Sequence, residues 1–182
     1  MANDFSVEEA VRRLLGHVDP QPGREGLEQT PRRFKRFLEE FLQPTPFEVT
    51  TFASDGYDEM VVQRGIAFYS LCEHHLLPFF GEVAIAYIPE ARVVGLSKLA
   101  RTLDHFSRRL QNQERITVQV ADFLAEQLQP KGVAVQLTAR HLCMEMRGIQ
   151  KPGTVTTTSC VRGIFKSDPR TRNEFLQLAS SN

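Results

Sequence analysis

Two short segments of the sequence contain the residues best suited to binding a metal ion. Cys72 and His75 stand three residues apart in the segment CEHHLLPFFG, and His141 and Cys143 stand two residues apart in HLCMEMRG. Thiolate sulfur and imidazole nitrogen are preferred ligands of zinc, and the Cys-x-x-His spacing lets one turn of backbone present both side chains to one ion. A lone cysteine or histidine is usually a structural residue. The two segments together predict a zinc site.

The second segment has the alternation of a β-strand. Residues two apart in a strand point to the same face. We therefore expect the odd-numbered polar residues of 141–147 to line one cleft and the even-numbered apolar residues to face the core. The first set is His141, Cys143, Glu145 and Arg147, and the second is Leu142, Met144 and Met146.

The number of protein ligands separates a structural zinc site from a catalytic one. Structural sites have four protein ligands, whereas catalytic sites have three and leave one position for water. Cys72, His75 and Cys143 would supply three, with His74 and His141 nearby as bases. Cys160 leaves an alternative open, because as a fourth ligand it would close the site and indicate a non-catalytic protein with a structural zinc.

The composition is that of an ordinary globular protein of 182 residues, with 41% hydrophobic and 24% charged residues. The 22 basic and 22 acidic side chains balance, which gives no support to a nucleic-acid or membrane-surface partner. Three cysteines are too few for a disulfide framework and suit reduced thiols, so we expect a cytoplasmic protein. The acidic N-terminus lacks an apolar signal core, and no apolar run approaches the length of a membrane span.

Hydrophobic periodicity predicts an α+β fold. A first helix is expected from Ser6 as N-cap to about Leu15, and a second is opened by Thr30 as N-cap and Pro31. Two strands, two helices and two strands follow, over residues 59–70, 80–89, 97–110, 116–128, 133–146 and 154–165, with a short helix near 172–178. This order predicts a mainly antiparallel sheet covered by helices on one face. A change of apolar phase near Arg140 predicts a β-bulge there.

Two clusters of basic residues stand at predicted helix starts. Ser97 would cap the third helix, and the free amides there, with Lys98 and Arg101, would form a phosphate site. Arg33 and Arg36 stand in the first turns of the second helix, where positive charge opposes the helix dipole. Either a solvated face or an anion site would account for this second cluster.

These motifs together resemble those of the zinc-dependent GTP cyclohydrolase I family. The resemblance covers nearly the whole chain, through REGL, TPRR, CEHHLLPFFG, GLSKLAR, RLQNQER and HLCMEMRG in the same order. It implies the tunnelling fold, a ββααββ antiparallel sheet with helices on one face, preceded by an N-terminal helix pair. On this basis we expect a helical extension at residues 1–48 and a catalytic domain at residues 49–182. It also implies a homodecamer built from pentamers, with active sites between subunits.

The resemblance also assigns the residues of a site. Enzymes of this family convert GTP and water into 7,8-dihydroneopterin triphosphate and formate, with zinc as the cofactor. The implied zinc ligands are Cys72, His75 and Cys143, and the implied proton carriers are His74 and His141. Glu114 would anchor guanine with Gln113 beside it, and the triphosphate contacts would be Ser97, Lys98, Arg101, Arg147, Arg33 and Arg36, the last two from a neighbouring subunit.

Two positions depart from the usual pattern of the family. Gly65 stands where an aspartate is usual, and Asn112 stands where a valine is common. Neither corresponds to a ligand or a proton carrier, so we expect both to affect local packing only. A rival enzyme class with the same fold, the 7-cyano-7-deazaguanine reductases, uses a cysteine nucleophile and NADPH. That chemistry needs no set of three metal ligands, which this sequence retains.

Overall fold

The protein is described from a computed structural model, which covers residues 6–44 and 46–180. The chain divides into two compact units, with the division between Gln43 and Pro44. The first unit is helical, and the second contains every strand found among the described residues. No helix in these ranges is both long enough and apolar enough to cross a lipid bilayer.

The first unit contains helices α1 (Val7–Val18), α2 (Glu25–Glu28) and α3 (Thr30–Phe41). Ser6 caps α1 as predicted, because its Oγ accepts a hydrogen bond of 3.2 Å from the Glu9 backbone N–H. The helix continues past the predicted end near Leu15. The prediction that Thr30 caps α3 is wrong, since Gln29 holds the N-cap position and Thr30 is the first helical residue.

The second unit contains seven strands and five helices among its described residues. In chain order these are β1 (Thr51–Ala53), β2 (Val61–Cys72), β3 (Pro78–Ile88), β4 (Arg92–Val94), α4 (Leu96–Ser107), β5 (Leu110–Gln111), α5 (Gln113–Leu128), β6 (Gly132–His141), α6 (Leu142–Glu145), β7 (Val155–Gly163), α7 (Ile164–Ser167) and α8 (Pro169–Ser180). The long elements β2, β3, α4, α5, β6 and β7 give the predicted ββααββ order, which confirms the predicted fold class. The pair β1 and β4 forms a small separate sheet that was not predicted.

The main sheet has the strand order β5-β2-β3-β6-β7. Its long strands pair antiparallel, and only the two-residue β5 pairs parallel, with the end of β2. One row of neighbours crosses the sheet through Ser70, Phe79 and His141. Three strand termini are therefore brought together at this edge: the last residues of β2, the first of β3 and the last of β6.

The two faces of the sheet are covered by different helices. Helices α4 and α5 cover one face, as predicted, and their apolar residues form the main core with alternate residues of β2, β3 and β6. Ile116, Val120 and Leu124 of α5 are fully buried there, in the predicted apolar stripe. On the opposite face, Phe165 of α7 and Phe175 of α8 pack over three alanines of the sheet in a second cluster. The terminal helix thus covers part of the face that α4 and α5 leave open.

The largest difference from the sequence-based expectations lies at the end of β6. The strand was predicted to continue to residue 146 with a bulge near Arg140. Both predictions are wrong, because β6 pairs with β3 in unbroken register as far as His141 and the chain then enters the helical turn α6. The apolar phase changes because the backbone period changes from strand to helix. The register shift in the sheet lies instead in β2, between Gln63 and Ile66, where Gly65 adopts a φ of +67°.

The start of α4 also differs from its prediction. Ser97 was expected to be the N-cap, but Gly95 holds that position and the helix begins at Leu96. Gly95 has no side chain to accept from the free amides of the first turn. Ser97 itself is exposed within that turn. The predicted ends of β7 and α8 agree with the structure to within a few residues.

Candidate metal centre

The structure brings Cys72, His75 and Cys143 together. Cys72 is the last residue of β2, His75 lies in the turn that follows, and Cys143 lies in α6. One ligand atom from each residue lies within 4.8 Å of the others. All three side chains meet where β2 and β6 end beside the start of β3, an edge that we call the metal end of the sheet.

The turn between β2 and β3 is held by backbone hydrogen bonds. The Cys72 N–H donates to the Leu77 carbonyl at 2.8 Å, and the N–H groups of His75 and Leu76 donate to the Cys72 carbonyl at 3.2 and 2.8 Å. Leu76 adopts a φ of +56°, a left-handed conformation that is unfavourable for a branched side chain. Such strain persists where the surrounding structure imposes it, and it occurs often at functional sites.

The donor set fits zinc. A sulfur ligand at about 2.3 Å and a nitrogen ligand at about 2.1 Å stand about 3.6 Å apart around a tetrahedral ion. Cys72 Sγ lies 3.6 Å from His75 Nδ1, and Cys72 and Cys143 are both free thiols. Burial, together with the neighbouring Cys72, raises the pKa of the Cys143 thiol in the metal-free chain. A cation between the two sulfurs would offset that repulsion.

Cys160 does not belong to this group. It lies on β7 opposite Val135, six residues before His141 on β6, so it is about 20 Å from the metal end at the usual rise of a strand. Its Sγ accepts a hydrogen bond of 2.8 Å from Arg162 Nη1, and burial raises its pKa. Among the described residues the group therefore has three candidate ligands, and the alternative in which Cys160 closes the site is wrong.

The prediction that residues 141–147 share one strand face is also wrong. In the helical turn α6, Glu145 is directed to Arg140 and forms a two-point ion pair at 2.8 and 2.6 Å. Met146, which was expected in the core, is exposed. Arg147 does reach the metal group, because its Nη1 lies 3.2 Å from His75 Nε2. A helical turn therefore positions Cys143 and Arg147 at the metal end and leaves Glu145 out.

His141 lies in a partly buried, ordered setting beside the metal group. Its ring stacks on Phe79 with the centroids 4.7 Å apart and the planes 3° from parallel. Its Nε2 lies 2.8 Å from Gln113 Oε1. Burial lowers the pKa of His141, and the negative charge of Glu114 opposes that shift. A lowered pKa keeps the imidazole neutral near neutral pH, the form that can accept a proton.

His74 has a different environment, because its side chain is 66% exposed. Its Nδ1 lies 3.7 Å from Cys72 Sγ, and its Nε2 lies 3.9 Å from a carboxylate oxygen of Glu73. Glu73 is itself fixed by Arg115 at 2.6 and 3.0 Å and by the Asn112 amide at 3.1 Å. The hydrogen bond from Arg115 holds the pKa of Glu73 below its usual value. Glu73 therefore remains an anion beside His74.

Gln113 and Glu114 are neighbours at the start of α5 with opposite surroundings. Gln113 is 1% exposed. Glu114 is exposed and forms no ion pair with any residue in the described ranges, although its charge reaches His141. Of the two residues assigned to guanine by resemblance, only Glu114 presents a free polar group.

Ser97 and Lys98 lie at the other end of the sheet, where β3 ends and β6 begins, which we call the far end. The Val94 N–H, just before α4, donates to the Tyr87 hydroxyl at 3.0 Å. Tyr87 stands eight residues beyond Phe79 on β3, or about 27 Å along the strand. Arg101 follows one turn later in the same helix.

Arg33 and Arg36 belong to α3 in the first unit. Arg36 Nε donates to Glu40 at 2.9 Å, and its side chain is 77% exposed. An exposed i,i+4 ion pair contributes only about 0.3–0.5 kcal/mol, so it is easily exchanged for another anion.

Several residues that support the site were not identified from the sequence. One of them is Phe79, which stacks on His141. The others form a network beside His74, in which Arg115 and Asn112 hold the carboxylate of Glu73. Asn112 had one usable signal, since asparagine is a favoured N-cap and stands just before a helical pattern. Its Oδ1 accepts from the Arg115 N–H at 2.8 Å. The departure from the family valine therefore provides a helix cap.

Comparison with known proteins identifies the family of the chain. A family model described as GTP cyclohydrolase I matches residues 7–180. The chain is 53% identical over 173 residues to GTP cyclohydrolase 1 of Aquifex aeolicus, covering 94% of each chain, and 51% identical over 180 residues to that of Deinococcus radiodurans, covering 96% of this chain and 83% of the relative. A solved structure of an apo archaeosine synthase QueF-Like aligns with a TM-score of 0.46 at 18% identity, over 57% of this chain and 93% of that chain. The chain therefore belongs to the GTP cyclohydrolase I family.

Proposed function

We propose that this protein hydrolyses and rearranges GTP to 7,8-dihydroneopterin triphosphate and formate, with zinc as its cofactor. Beyond family membership, the observation that carries the proposal is the group of Cys72, His75 and Cys143 within 4.8 Å, two residues from the ordered imidazole of His141. Three thiolate and imidazole ligands leave a fourth position for a catalytic water. Zinc, when bound, supplies an activated water for hydrolysis of the guanine ring.

The two histidines would divide the proton transfers. His141 is partly buried, stacked and neutral, which suits a base that takes a proton from the reacting ring or returns it. His74 is exposed beside the fixed carboxylate of Glu73, so its ring is open to solvent, with which protons can be exchanged. Ring opening, loss of formate and closure of the dihydropterin ring each require protons to move, so two imidazoles in different settings match the reaction.

Glu114 would recognise the guanine base. The N1–H and the 2-amino group of guanine form an adjacent pair of donors, and a carboxylate accepts such a pair with both oxygens. Glu114 is exposed, has no ion-pair partner in the described part of the chain, and lies near enough to influence the pKa of His141. A base bound to Glu114 would therefore lie beside His141.

The proposed triphosphate contacts favour a site built from more than one copy of the chain. Arg147 lies at the metal end, whereas Ser97 and Lys98 lie at the far end, about 27 Å away along β3. One nucleotide cannot span that distance within a single chain. We propose that Ser97, Lys98 and Arg101 of one copy, with Arg33 and Arg36 of another, complete the site of a neighbour in a homodecamer built from pentamers.

Two further proposals follow from the sequence. The three described cysteines are free thiols, which suits a reducing compartment, and we propose a cytoplasmic location. We also propose that the chain is organised as a helical extension at residues 1–48 and a catalytic domain at residues 49–182. The metal group and both histidines lie within the second range.

The decisive experiment is GTP turnover by the zinc-loaded protein. We expect a product that fluoresces like neopterin after oxidation and dephosphorylation, with an equal amount of formate. Zinc content measured on the same sample should be one ion per chain. Intact GTP in a fully loaded sample would reject the proposed reaction.

Subunit complementation tests the composite site. Lys98→Ala and Cys143→Ala should each be inactive alone, since one loses a phosphate contact and the other loses the metal. Co-expressed chains should recover a fraction of the activity, because some sites combine an intact metal end from one chain with an intact Lys98 from another. Mixed oligomers, verified by mass, that show no recovery would place all the contacts in one chain.

A further inference from the structure

The side-chain amide of Gln113 is held in one orientation by its surroundings. Its Nε2 lies 3.0 Å from the Leu137 carbonyl, 2.9 Å from the Thr156 carbonyl and 3.2 Å from Thr158 Oγ1. The two carbonyls belong to the paired strands β6 and β7, so they cannot turn away. Only the nitrogen of an amide can donate to these acceptors, and the opposite orientation would place an oxygen against two carbonyl oxygens.

The fixed amide leaves Oε1 as the atom that meets His141. Gln113 Oε1 lies 2.8 Å from His141 Nε2. An amide oxygen has no hydrogen, so the hydrogen of this bond belongs to His141 Nε2. Stacking on Phe79 fixes the plane of the same ring. In the neutral imidazole, Nδ1 therefore carries the free lone pair.

We propose that Gln113 is a positioning residue that holds His141 in its Nε2–H tautomer, so that Nδ1 is the nitrogen that takes up and returns the proton. This inference rests on the proposed function, in which His141 transfers protons. It revises the assignment of Gln113 as a contact to guanine. The tautomer of a histidine is set by the hydrogen bonds of its ring nitrogens, and here the bond from Nε2 to Gln113 sets it.

The burial of Gln113 supports a positioning role. The side chain is 1% exposed, and both amide hydrogens are used by three acceptors within the chain. The packing of α5 against β6 and β7 leaves a ligand no open surface on this side chain. Thr117 Oγ1 closes the same network, at 2.8 Å from the Gln113 carbonyl and 2.6 Å from Thr158 Oγ1. Recognition of the base then falls to Glu114, the exposed neighbour.

Gln113→Met tests the proposal, with Gln111→Met as the matched control. Gln111 is also a buried glutamine: its amide nitrogen donates to the Phe106 carbonyl at 3.0 Å and to Gln119 at 2.7 Å, and its Oε1 accepts from Arg115 at 3.2 Å, without contact to His141. Arg115 has two further contacts, with Glu73, that do not depend on Gln111. We expect Gln113→Met to lower kcat by about 100-fold, within the range for loss of acid–base catalysis. The Kd for GTP and the zinc content should not change. The control should keep kcat within about twofold. Both variants lose a buried amide and share the general cost of that loss, so a larger decrease of kcat in Gln113→Met would come from the lost contact with His141.

A double-mutant cycle with His141→Ala separates a positioning role from a structural one. If Gln113 acts through His141, Gln113→Met should cause no further loss of kcat when His141 is already alanine. Independent losses that multiply would overturn the proposal. A raised Kd for GTP in Gln113→Met, with kcat retained, would also overturn it and restore the guanine contact.

A measurement on the unmodified enzyme covers the case in which Gln113→Met does not fold. Nitrogen NMR of the zinc-loaded protein with labelled histidine reports which ring nitrogen carries the hydrogen, and the His141 signals are identified by their absence in His141→Ala. We expect a protonated Nε2 and an unprotonated Nδ1. The reverse pattern would reject the tautomer assignment even if GTP turnover is normal, whereas an enzyme that leaves GTP intact would reject the proposed function instead.

Discussion

The two ends of the main sheet are built from the same strands, but backbone hydrogen bonds join the strands at one end and candidate metal ligands converge at the other. At the far end, backbone and side-chain groups satisfy one another: the Lys131 N–H donates to the Ile88 carbonyl at 2.9 Å, and the Ile164 N–H donates to the Lys131 carbonyl at 3.0 Å. At the metal end, the thiols of Cys72 and Cys143 and the imidazole of His75 converge within 4.8 Å, and the exposed carboxylate of Glu114 lies near His141. Converging thiol and imidazole groups are the ligand types that zinc prefers.

The far end and the metal end of the sheet differ in packing and in backbone strain. Gly132 pairs with Ile88 on one side and with Gly163 on the other, so two glycines lie side by side where three strands meet at the far end. The metal end has the strained residue Leu76 and a helical turn in place of a continued strand. Close packing makes a region sensitive to any added side-chain volume, whereas strained residues are found often at reactive sites. We expect substitutions at the two ends to affect different measurements.

The largest expected effect is at the metal end. Cys143→Ala should abolish zinc binding and GTP turnover together, because two ligands do not hold zinc tightly. Its metal-free form should unfold at nearly the same denaturant concentration as the metal-free parent, since the thiol is only partly buried. Zinc analysis, turnover and denaturation on one preparation provide the check. A variant that keeps one zinc per chain would show that the ligand set is wrong.

The next largest effect concerns proton transfer alone. His141→Ala should lower kcat by about 1,000-fold, or about 4 kcal/mol, and leave the zinc content unchanged. Since Cys143→Ala removes the metal as well, the two variants separate a ligand from a proton carrier. Loss of zinc from His141→Ala would show that His141 is a metal ligand and that its role as a proton carrier cannot be separated from metal binding by this variant.

The sequence predicted the parts of the fold that depend on local period. Ser6 as a cap and the stripe of Ile116, Val120 and Leu124 follow from spacing within one helix, and all were found as expected. The turn α6 was not predicted, because Leu-Cys-Met-Glu alternates as a strand does. Tertiary contact decides such short ambiguous segments, and here the ion pair of Arg140 with Glu145 accompanies the helical turn.

The site was predictable in composition but not in detail. Cysteine and histidine spacing identified the three side chains that converge. The amide clamp on Gln113 was not visible, because its acceptors Leu137 and Thr156 stand 24 and 43 residues away in sequence. Only the pairing of β6 with β7 and the docking of α5 create it. For the same reason the sequence did not place Ser97 and Lys98 at the end of the sheet remote from the metal.

A smaller effect is expected at the far end. Gly163 has a φ of +58° and a ψ of −134°, and a Cβ there would lie 2.2 Å from the Lys131 carbonyl oxygen. Gly163→Ala should therefore lower the free energy of unfolding by about 3 kcal/mol, from backbone strain and overpacking. Gly153→Ala is the control, because Gly153 also has a positive φ but nothing within 4 Å of a Cβ, and it should lose about 1 kcal/mol.

Denaturation of both zinc-loaded variants measures this difference. The folded fraction of Gly163→Ala should retain one zinc per chain and a normal kcat, since the candidate metal ligands and both proton-carrying histidines lie at the metal end. Equal losses in the two glycine variants would show that the close contact with Lys131 contributes nothing. Loss of zinc from folded Gly163→Ala would show that the two ends are coupled.

The smallest effect tests a residue that links the metal end to the core helices. Asn112 caps α5 through its Oδ1 and donates from Nδ2 to Glu73 at 3.1 Å. Asn112→Val, the residue common in the family, should lower the free energy of unfolding by about 1 kcal/mol through loss of the cap. Asn112→Ser keeps a capping oxygen and loses the amide donor to Glu73 without adding a charge, so its loss should be smaller. Denaturation curves that rank Ser below Val would show that the contact with Glu73, and not the cap, is what Asn112 contributes.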